Sequence, residues 1–66
     1  MDLKDVMKTR RKALAISQQD LAELSGVSLP TVKEIERGHG NPSLATVSKL
    51  LDVLGMEIIY KVKQKF

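Results

Sequence analysis

The sequence of 66 residues lacks cysteine and tryptophan and contains a single histidine, His39. Without cysteine, neither a disulfide framework nor a thiolate metal site can stabilise so short a chain. One histidine in a glycine-rich turn supplies neither a base beside a nucleophile nor a set of metal ligands. We therefore predict that the protein is not an enzyme and needs no cofactor or metal.

Long apolar runs are also missing. No run reaches the length of a membrane span, and the N-terminal residues mix both charge signs without a signal-peptide core. We expect a cytoplasmic protein with no membrane partner. A chain of this length can bury only one small core, and such domains often gain stability by forming oligomers, so a homodimer is a reasonable expectation.

The charged residues are unevenly distributed. Eleven lysines and arginines outweigh eight aspartates and glutamates, for a net charge of +3. The bases cluster at Lys8 and residues 10–12, and again at Lys61, Lys63 and Lys65. Clustered cations indicate a polyanionic partner. A solvated helix face and a charged strand edge would give the same pattern, so charge alone leaves both interpretations open.

Four helices can be predicted from capping residues and apolar spacing. The first begins after Asp2 and runs to about Ala15, and serines at positions 17, 28 and 43 can cap the next three. Gly26, Gly38 and Gly55 are the stop signals. Helical spacing predicts that the buried positions are Leu3, Val6, Met7, Leu14, Leu21, Ala22, Leu24, Val32, Ile35, Leu44, Val47, Leu50, Leu51 and Leu54.

The spacing of the apolar residues changes after Gly55. Apolar and charged residues then alternate, with Ile59 as the exception, and this pattern predicts a β-strand. A single strand has no partner within a helical chain, and an unpaired strand edge attracts another copy. We predict a two-stranded sheet across a homodimer, with a frayed tail as the alternative. The dimerisation residues are Met56, Ile58, Ile59, Tyr60 and Val62.

The two middle helices have the spacing of a DNA-binding unit. A short helix, a tight turn at residues 26–28 and a second helix form a helix-turn-helix, whose second helix lies in the major groove. The segments SQQDLAELSGVS from Ser17, Thr31-Val32, IERG from Ile35 and NPSL from Asn41 resemble the Cro/C1-type (XRE) helix-turn-helix family over about residues 3–55. This resemblance implies an all-α fold: a compact four-helix, lambda-repressor-like DNA-binding domain over residues 1–55, with residues 56–66 as the dimerisation strand and tail.

The resemblance also implies roles for individual residues. Arg11 matches a basic residue that pairs with a glutamate, here Glu36, and ties the first helix to the third. The DNA-contacting positions that it implies are Gln18, Gln19, Ser28, Leu29, Pro30, Thr31, Lys33, Glu34, Arg37, Asn41 and Ser43.

Side-chain chemistry divides these positions between anchoring and base reading. Lys33 is the best candidate for reading guanine, whereas Lys8, Arg10 and Arg37 are expected to contact phosphates. Thr31 could contact a phosphate or a thymine methyl group. Glu34 could accept a hydrogen bond from cytosine or simply repel phosphate. Leu29 and Pro30 depart from the amide and hydroxyl side chains of many relatives, so reading there would depend on apolar contact or DNA shape.

The terminal strand narrows the resemblance further. A Cro/C1-type domain that ends in one short strand looks like the HipB-type antitoxins, which repress their own operon and bind a HipA-type kinase toxin. The expected function is therefore a sequence-specific repressor of double-stranded operator DNA that is also the antitoxin of a toxin–antitoxin operon. The alternatives are a stand-alone Cro/C1-type regulator without a toxin partner and an interaction module that no longer reads DNA.

Overall fold

The computed structural model describes residues 2–64 and contains four α-helices in that range. Their bounds are Leu3–Ala13 (α1), Gln18–Ser25 (α2), Leu29–Glu36 (α3) and Leu44–Val53 (α4). Helix α2 packs against α3 and α4, and α1 packs against α3. No helix within residues 2–64 is both long and apolar enough to cross a membrane.

Serine side chains begin three of the helices, as predicted. The Ser17 hydroxyl accepts the Asp20 N–H at 2.9 Å, and the Asp20 carboxylate accepts the Ser17 N–H at 2.9 Å. The hydrogen bond from the Ser17 N–H to the carboxylate is the main cause of a lowered pKa of Asp20. The hydroxyls of Ser28 and Ser43 cap α3 and α4 by accepting the N–H groups of Thr31 and Thr46. Each cap satisfies a backbone donor that has no partner within its helix.

Helix α1 ends two residues earlier than predicted. Leu14 is its C-cap, and Ala15 adopts a left-handed conformation with φ of 57°. Residues with a Cβ rarely adopt this conformation, and here it breaks the helix. The Ile16 N–H then donates to the Arg11 carbonyl at 3.1 Å, and the chain passes directly into α2.

Every helix contributes to the hydrophobic core. The prediction of burial was wrong for Leu14, Leu24 and Leu44, which are 43%, 66% and 61% exposed. Leu14 follows the end of α1 and Leu44 is the first residue of α4. Leu24 lies about 200° around α2 from the buried Ala22, on a part of the helix that the neighbouring helices do not cover. The buried apolar residues are Met7, Leu21, Ala22, Val32, Ile35, Leu50, Leu51 and Leu54.

Residues 56–64 form no strand in the described part of the single chain. Met56 and Ile58 pack against the core, and the Met56 N–H donates to the Leu51 carbonyl at 2.8 Å. Ile59, Tyr60 and Val62 are 75%, 81% and 90% exposed. A strand is defined by hydrogen bonds to a neighbouring strand, and residues 2–64 of one chain supply no such neighbour.

Candidate nucleic-acid interface

A buried ion pair holds α3 against α1. Arg11 Nε donates to Glu36 Oε2 at 2.9 Å, and Arg11 Nη2 donates to Glu36 Oε1 at 2.8 Å. Arg11 Nη1 also donates to the Ile16 carbonyl at 3.1 Å. The Glu36 side chain is only 3% exposed. A guanidinium that binds both carboxylate oxygens fixes the direction as well as the distance of the contact, so α3 is held in a defined orientation.

The surroundings of Glu36 keep its carboxylate ionised. Burial alone would raise the pKa of Glu36, but hydrogen bonds from Arg11 and Gln18 and the charges of Arg11 and Lys8 hold it below its ordinary value. The hydrogen bond to Glu36 in turn raises the pKa of Arg11. Gln18 Nε2 lies 3.2 Å from Glu36 Oε1 and thereby connects α2 to the same pair.

The opposite side of α3 is turned to solvent, because Val32, Ile35 and Glu36 occupy the buried side. We call this side the exposed face of α3. Its residues are Pro30, Lys33, Glu34 and Arg37, and they line a recess together with Leu29, which lies at the edge of this face and packs partly against the core. All five are among the positions for which the sequence predicts DNA contact.

Basic side chains border this face on the side of α1. Lys8 and Lys12 of α1 line a cleft of about 320 Å³ with Lys33 and Arg37. We call it the basic cleft. Gln18 and the Arg11–Glu36 pair complete its lining. Because the charges of that pair offset each other and Arg37 is paired with Glu34, it is chiefly Lys8, Lys12 and Lys33 that give the cleft the potential to attract a phosphate.

The other border of the exposed face is more apolar. Pro30, Thr31 and Ile35 line a recess of about 330 Å³ together with Asn41 and Pro42 of the loop before α4. Glu34, His39 and Gly40 complete the lining. The fold therefore places Asn41 beside Thr31 and Glu34, although it lies outside the helix pair in sequence. We call this the apolar recess.

The remaining predicted contacts lie at helix ends. Gln19, Ser28 and Leu29 line a depression where α2 meets the start of α3. The Gln19 side-chain amide donates to Glu23 Oε1 at 3.0 Å. The Ser43 hydroxyl is hydrogen-bonded to both the N–H and the hydroxyl of Thr46 and so caps α4.

Two basic residues of α1 have other surroundings than the sequence suggests. Arg10, expected at a phosphate, donates through Nε and Nη2 to the Leu54 carbonyl at 3.1 and 2.9 Å. A cation at this position is favourable because Leu54 is the C-cap of α4. Lys12, which received no role from the sequence, lines the basic cleft. Its place in the basic run of residues 10–12 was the available signal.

Comparison with known proteins identifies the family. A family model described as helix-turn-helix matches residues 7–61, which include α2, α3 and the turn that joins them. The chain belongs to the Cro/C1-type helix-turn-helix family. The predicted resemblance to this family is therefore confirmed, and the compact all-α arrangement of residues 2–64 agrees with it.

Relatives of this Cro/C1-type chain occur in distant organisms. It is 51% identical over 47 residues to an HTH-type transcriptional regulator of Haemophilus influenzae, covering 71% of this chain and 48% of that protein. It is 33% identical over 57 residues to an HTH-type transcriptional regulator of Methanothermobacter thermautotrophicus, covering 86% of this chain and 83% of that protein.

A phage protein is also similar. The cryptic phage CTXphi transcriptional repressor RstR of Vibrio cholerae is 33% identical over 58 residues, covering 88% of this Cro/C1-type chain and 52% of that repressor. The chain thus spans about half the length of the Haemophilus and Vibrio proteins and most of the Methanothermobacter protein.

Proposed function

We propose that this chain is a sequence-specific, DNA-binding transcriptional repressor that acts as a homodimer. The observation that carries the proposal is the exposed face of α3, bordered by the basic cleft on one side and the apolar recess on the other. The major groove admits an α-helix, and cations beside that helix can neutralise the phosphates along the groove. The names of the relatives, two transcriptional regulators and one repressor, support the same role.

In the proposed complex, most of the polar side chains at the borders anchor the DNA backbone. Gln18 and Arg37 contact phosphates together with Lys8 and Lys12 of the basic cleft. Such contacts fix the position of the protein on the duplex without selecting a sequence. The residues at the outer ends of the interface, which we assign to the backbone as well, are Gln19, Ser28, Asn41 and Ser43.

The exposed face of α3, with Leu29 and Thr31 at its edges, supplies the base contacts. Lys33 can donate to the O6 and N7 acceptors of guanine, and Glu34 can accept from the N4 amino group of cytosine. Leu29, Pro30 and the methyl group of Thr31 offer apolar surface to thymine methyl groups. The interface therefore combines a few polar readers with apolar contacts.

Selection of duplexes from a random-sequence pool tests this function. We expect enrichment of an inverted repeat whose half-sites lie about 34 Å apart, one turn of DNA, because a dimer presents two copies of α3. Affinity for the selected duplex should fall steeply with salt, since each neutralised phosphate releases counterions. A scrambled duplex of the same composition is the control. Equal affinity for both duplexes would contradict a sequence-specific repressor.

The proposed homodimer forms through the C-terminal segment. Met56 and Ile58 attach this segment to the core, whereas Ile59, Tyr60 and Val62 are exposed beyond it. Pairing with the same segment of a second copy would satisfy the backbone groups and cover the exposed apolar side chains. The segment would then be a strand, as the alternating sequence predicts.

Proline substitutions test this strand pairing. Ile59→Pro and Tyr60→Pro are made separately, because neighbouring N–H groups point to opposite sides of a strand and one of them must face the partner. Tyr60→Ala, which keeps the N–H, is the control. We expect a dimer for the unsubstituted chain and a monomer for at least one proline variant in analytical ultracentrifugation. Two dimeric proline variants would exclude the strand.

A narrower proposal is the role of a HipB-type antitoxin that binds a HipA-like kinase toxin. It rests on the sequence pattern of the C-terminal segment. The alternative, a stand-alone Cro/C1-type regulator, is favoured by the regulator and repressor names of the relatives. Co-expression of the tagged chain with its neighbouring gene discriminates between them. A stoichiometric complex with a kinase-like product supports the antitoxin, and a homodimer alone supports the stand-alone regulator.

A further inference from the structure

Glu34 lies between two basic side chains. Arg37 Nη1 is 2.5 Å from Glu34 Oε1, and His39 Nδ1 is 3.6 Å from Glu34 Oε2. The second distance is too long for a hydrogen bond but close enough for an ion pair once the imidazole carries a proton. The two oxygens of one carboxylate on the exposed face of α3 therefore face two different bases.

The backbone holds His39 in this position. Its N–H donates to the Glu34 carbonyl at 3.0 Å, and Gly38 turns the chain with φ of 83°. A Cβ at Gly38 would also lie 2.9 Å from Lys4 Cδ. The left-handed conformation favours glycine at this position, whereas the flexible Lys4 side chain could move aside. The turn thus brings the imidazole to the edge of the exposed face of α3.

The charges around His39 nearly cancel while its imidazole is neutral. From α3 and its C-cap, Glu34 and Arg37 form one ion pair. From the start of α1, Lys4 and Asp2 line a cleft with His39 and pair with each other at 3.4 Å. The loop contributes only the uncharged residues 40–42. Protonation of His39 therefore adds one positive charge beside an interface that faces a polyanion.

We propose that His39 couples DNA binding to proton uptake by positioning and neutralising the Glu34 carboxylate. The inference rests on the proposed DNA-binding function. Phosphates that approach the exposed face of α3 repel Glu34 and favour a proton on the adjacent imidazole. The imidazolium then pairs with Glu34 Oε2 and leaves Arg37 available to a phosphate. Because the protonated form binds DNA more tightly, affinity falls as the pH rises.

The probe is the duplex selected from the random-sequence pool, and its binding is measured by fluorescence anisotropy. Measurements at about pH 6 and about pH 8 span the range in which histidine changes charge. We expect the unsubstituted chain to bind about fivefold more tightly at the lower pH, the effect of one exposed charge contact in water. His39→Gln should reduce this ratio to about one, because no other histidine is present. Glu34→Gln should reduce it as well, because the carboxylate that pairs with the imidazolium is removed.

The outcomes separate this inference from the proposed function. Equal affinity of the unsubstituted chain at both pH values overturns the inference and leaves DNA binding intact. If His39→Gln keeps the difference in affinity between the two pH values, the proton binds to another group. If Glu34→Gln keeps it, His39 acts on DNA without Glu34. Either result overturns the inference. Failure of the chain to bind any duplex at either pH overturns both proposals.

Discussion

Two ion pairs of α3 share their chemistry but not their surroundings. The Arg11–Glu36 pair joins two helices, and its side chains are 13% and 3% exposed. The Arg37–Glu34 pair connects neighbouring turns at the end of α3, and its side chains are 61% and 46% exposed. A buried carboxylate is costly unless it is paired, whereas an exposed pair contributes about 0–1 kcal/mol. The first pair therefore serves the fold, and the second is available for recognition.

The difference follows from helix geometry. Two residues along an α-helix correspond to a rotation of about 200°, which places Glu36 in the interior and Glu34 in solvent. Helix α3 is fixed from one side by Arg11 and can present the other side to DNA without losing its support. Substitutions on the two sides should therefore separate stability from DNA binding.

The largest expected effect is that of Arg11→Ala. Removal of one partner leaves the Glu36 carboxylate buried without its counter-charge, at a cost of about 3–5 kcal/mol in the free energy of unfolding. A chain of this size has little stability beyond that amount. Urea unfolding followed by circular dichroism measures the loss.

Two further variants keep this prediction informative if Arg11→Ala does not fold. Arg11→Lys retains the charge but not the bidentate contact with the carboxylate, and we expect a smaller loss in the free energy of unfolding. Lys12→Ala removes an exposed neighbouring cation and should change the free energy of unfolding by about 0.5 kcal/mol at most. A loss from Arg11→Ala no greater than that from Lys12→Ala would show that the buried pair does not support the fold.

Acid should weaken the same pair. The pKa of Glu36 is lower in the folded chain than in the unfolded chain, so its contribution is fully present above the unfolded value, about 4.3 for glutamate. That contribution is lost as the pH falls through the folded value. In urea titrations across this range, we expect the free energy of unfolding to decrease more for the unsubstituted chain than for Glu36→Gln. Parallel pH profiles would be inconsistent with a depressed pKa.

Lys33→Ala tests the side of α3 that we propose faces DNA. The expected loss is about 1–3 kcal/mol of binding to the selected duplex, with relaxed preference at one base pair, because Lys33 is assigned to a guanine. Lys49→Ala, on the exposed side of α4, is the matched control. Lys33 also lines the basic cleft. An equal loss on all sequences would therefore make it a phosphate anchor and remove its reading role.

Only a small effect on stability is expected from Arg37→Ala. Loss of the exposed pair should change the free energy of unfolding by less than about 1 kcal/mol. The slope of log affinity against log salt concentration should nevertheless fall by about one, because the phosphate contact that we propose for Arg37 is lost. A large loss of stability with an unchanged salt slope would reverse the roles that we assign to the two pairs.

The sequence predicted where helices start better than where they end or which of their apolar residues are buried. Ser17, Ser28 and Ser43 mark three starts through local hydrogen bonds that need no tertiary contact. The end of α1 was missed because the left-handed conformation of Ala15 has no signature in an alanine. Leu24 was expected to be buried because apolar spacing indicates a helix face but not how much of it the neighbouring helices cover.

In the candidate site, too, the sequence predicted some contacts and missed others. Family resemblance implied both Arg11 and Glu36, and the structure places their side chains in direct contact. The partner of Arg10 is a backbone carbonyl 44 residues away, which no side-chain pattern can indicate. The approach of His39 to Glu34 depends on the turn at Gly38, and the sequence indicated only a histidine within a glycine-rich turn.

Amide chemical shifts of the isotope-labelled chain, recorded before and after addition of the selected duplex, most directly test whether the exposed face of α3 contacts DNA. We predict the largest changes at residues 29–34, at Arg37 and at Gln18, with little change at the exposed residues Ala45 and Lys49 of α4. Largest changes on α4, with α3 unaffected, would contradict this assignment of the DNA-binding surface.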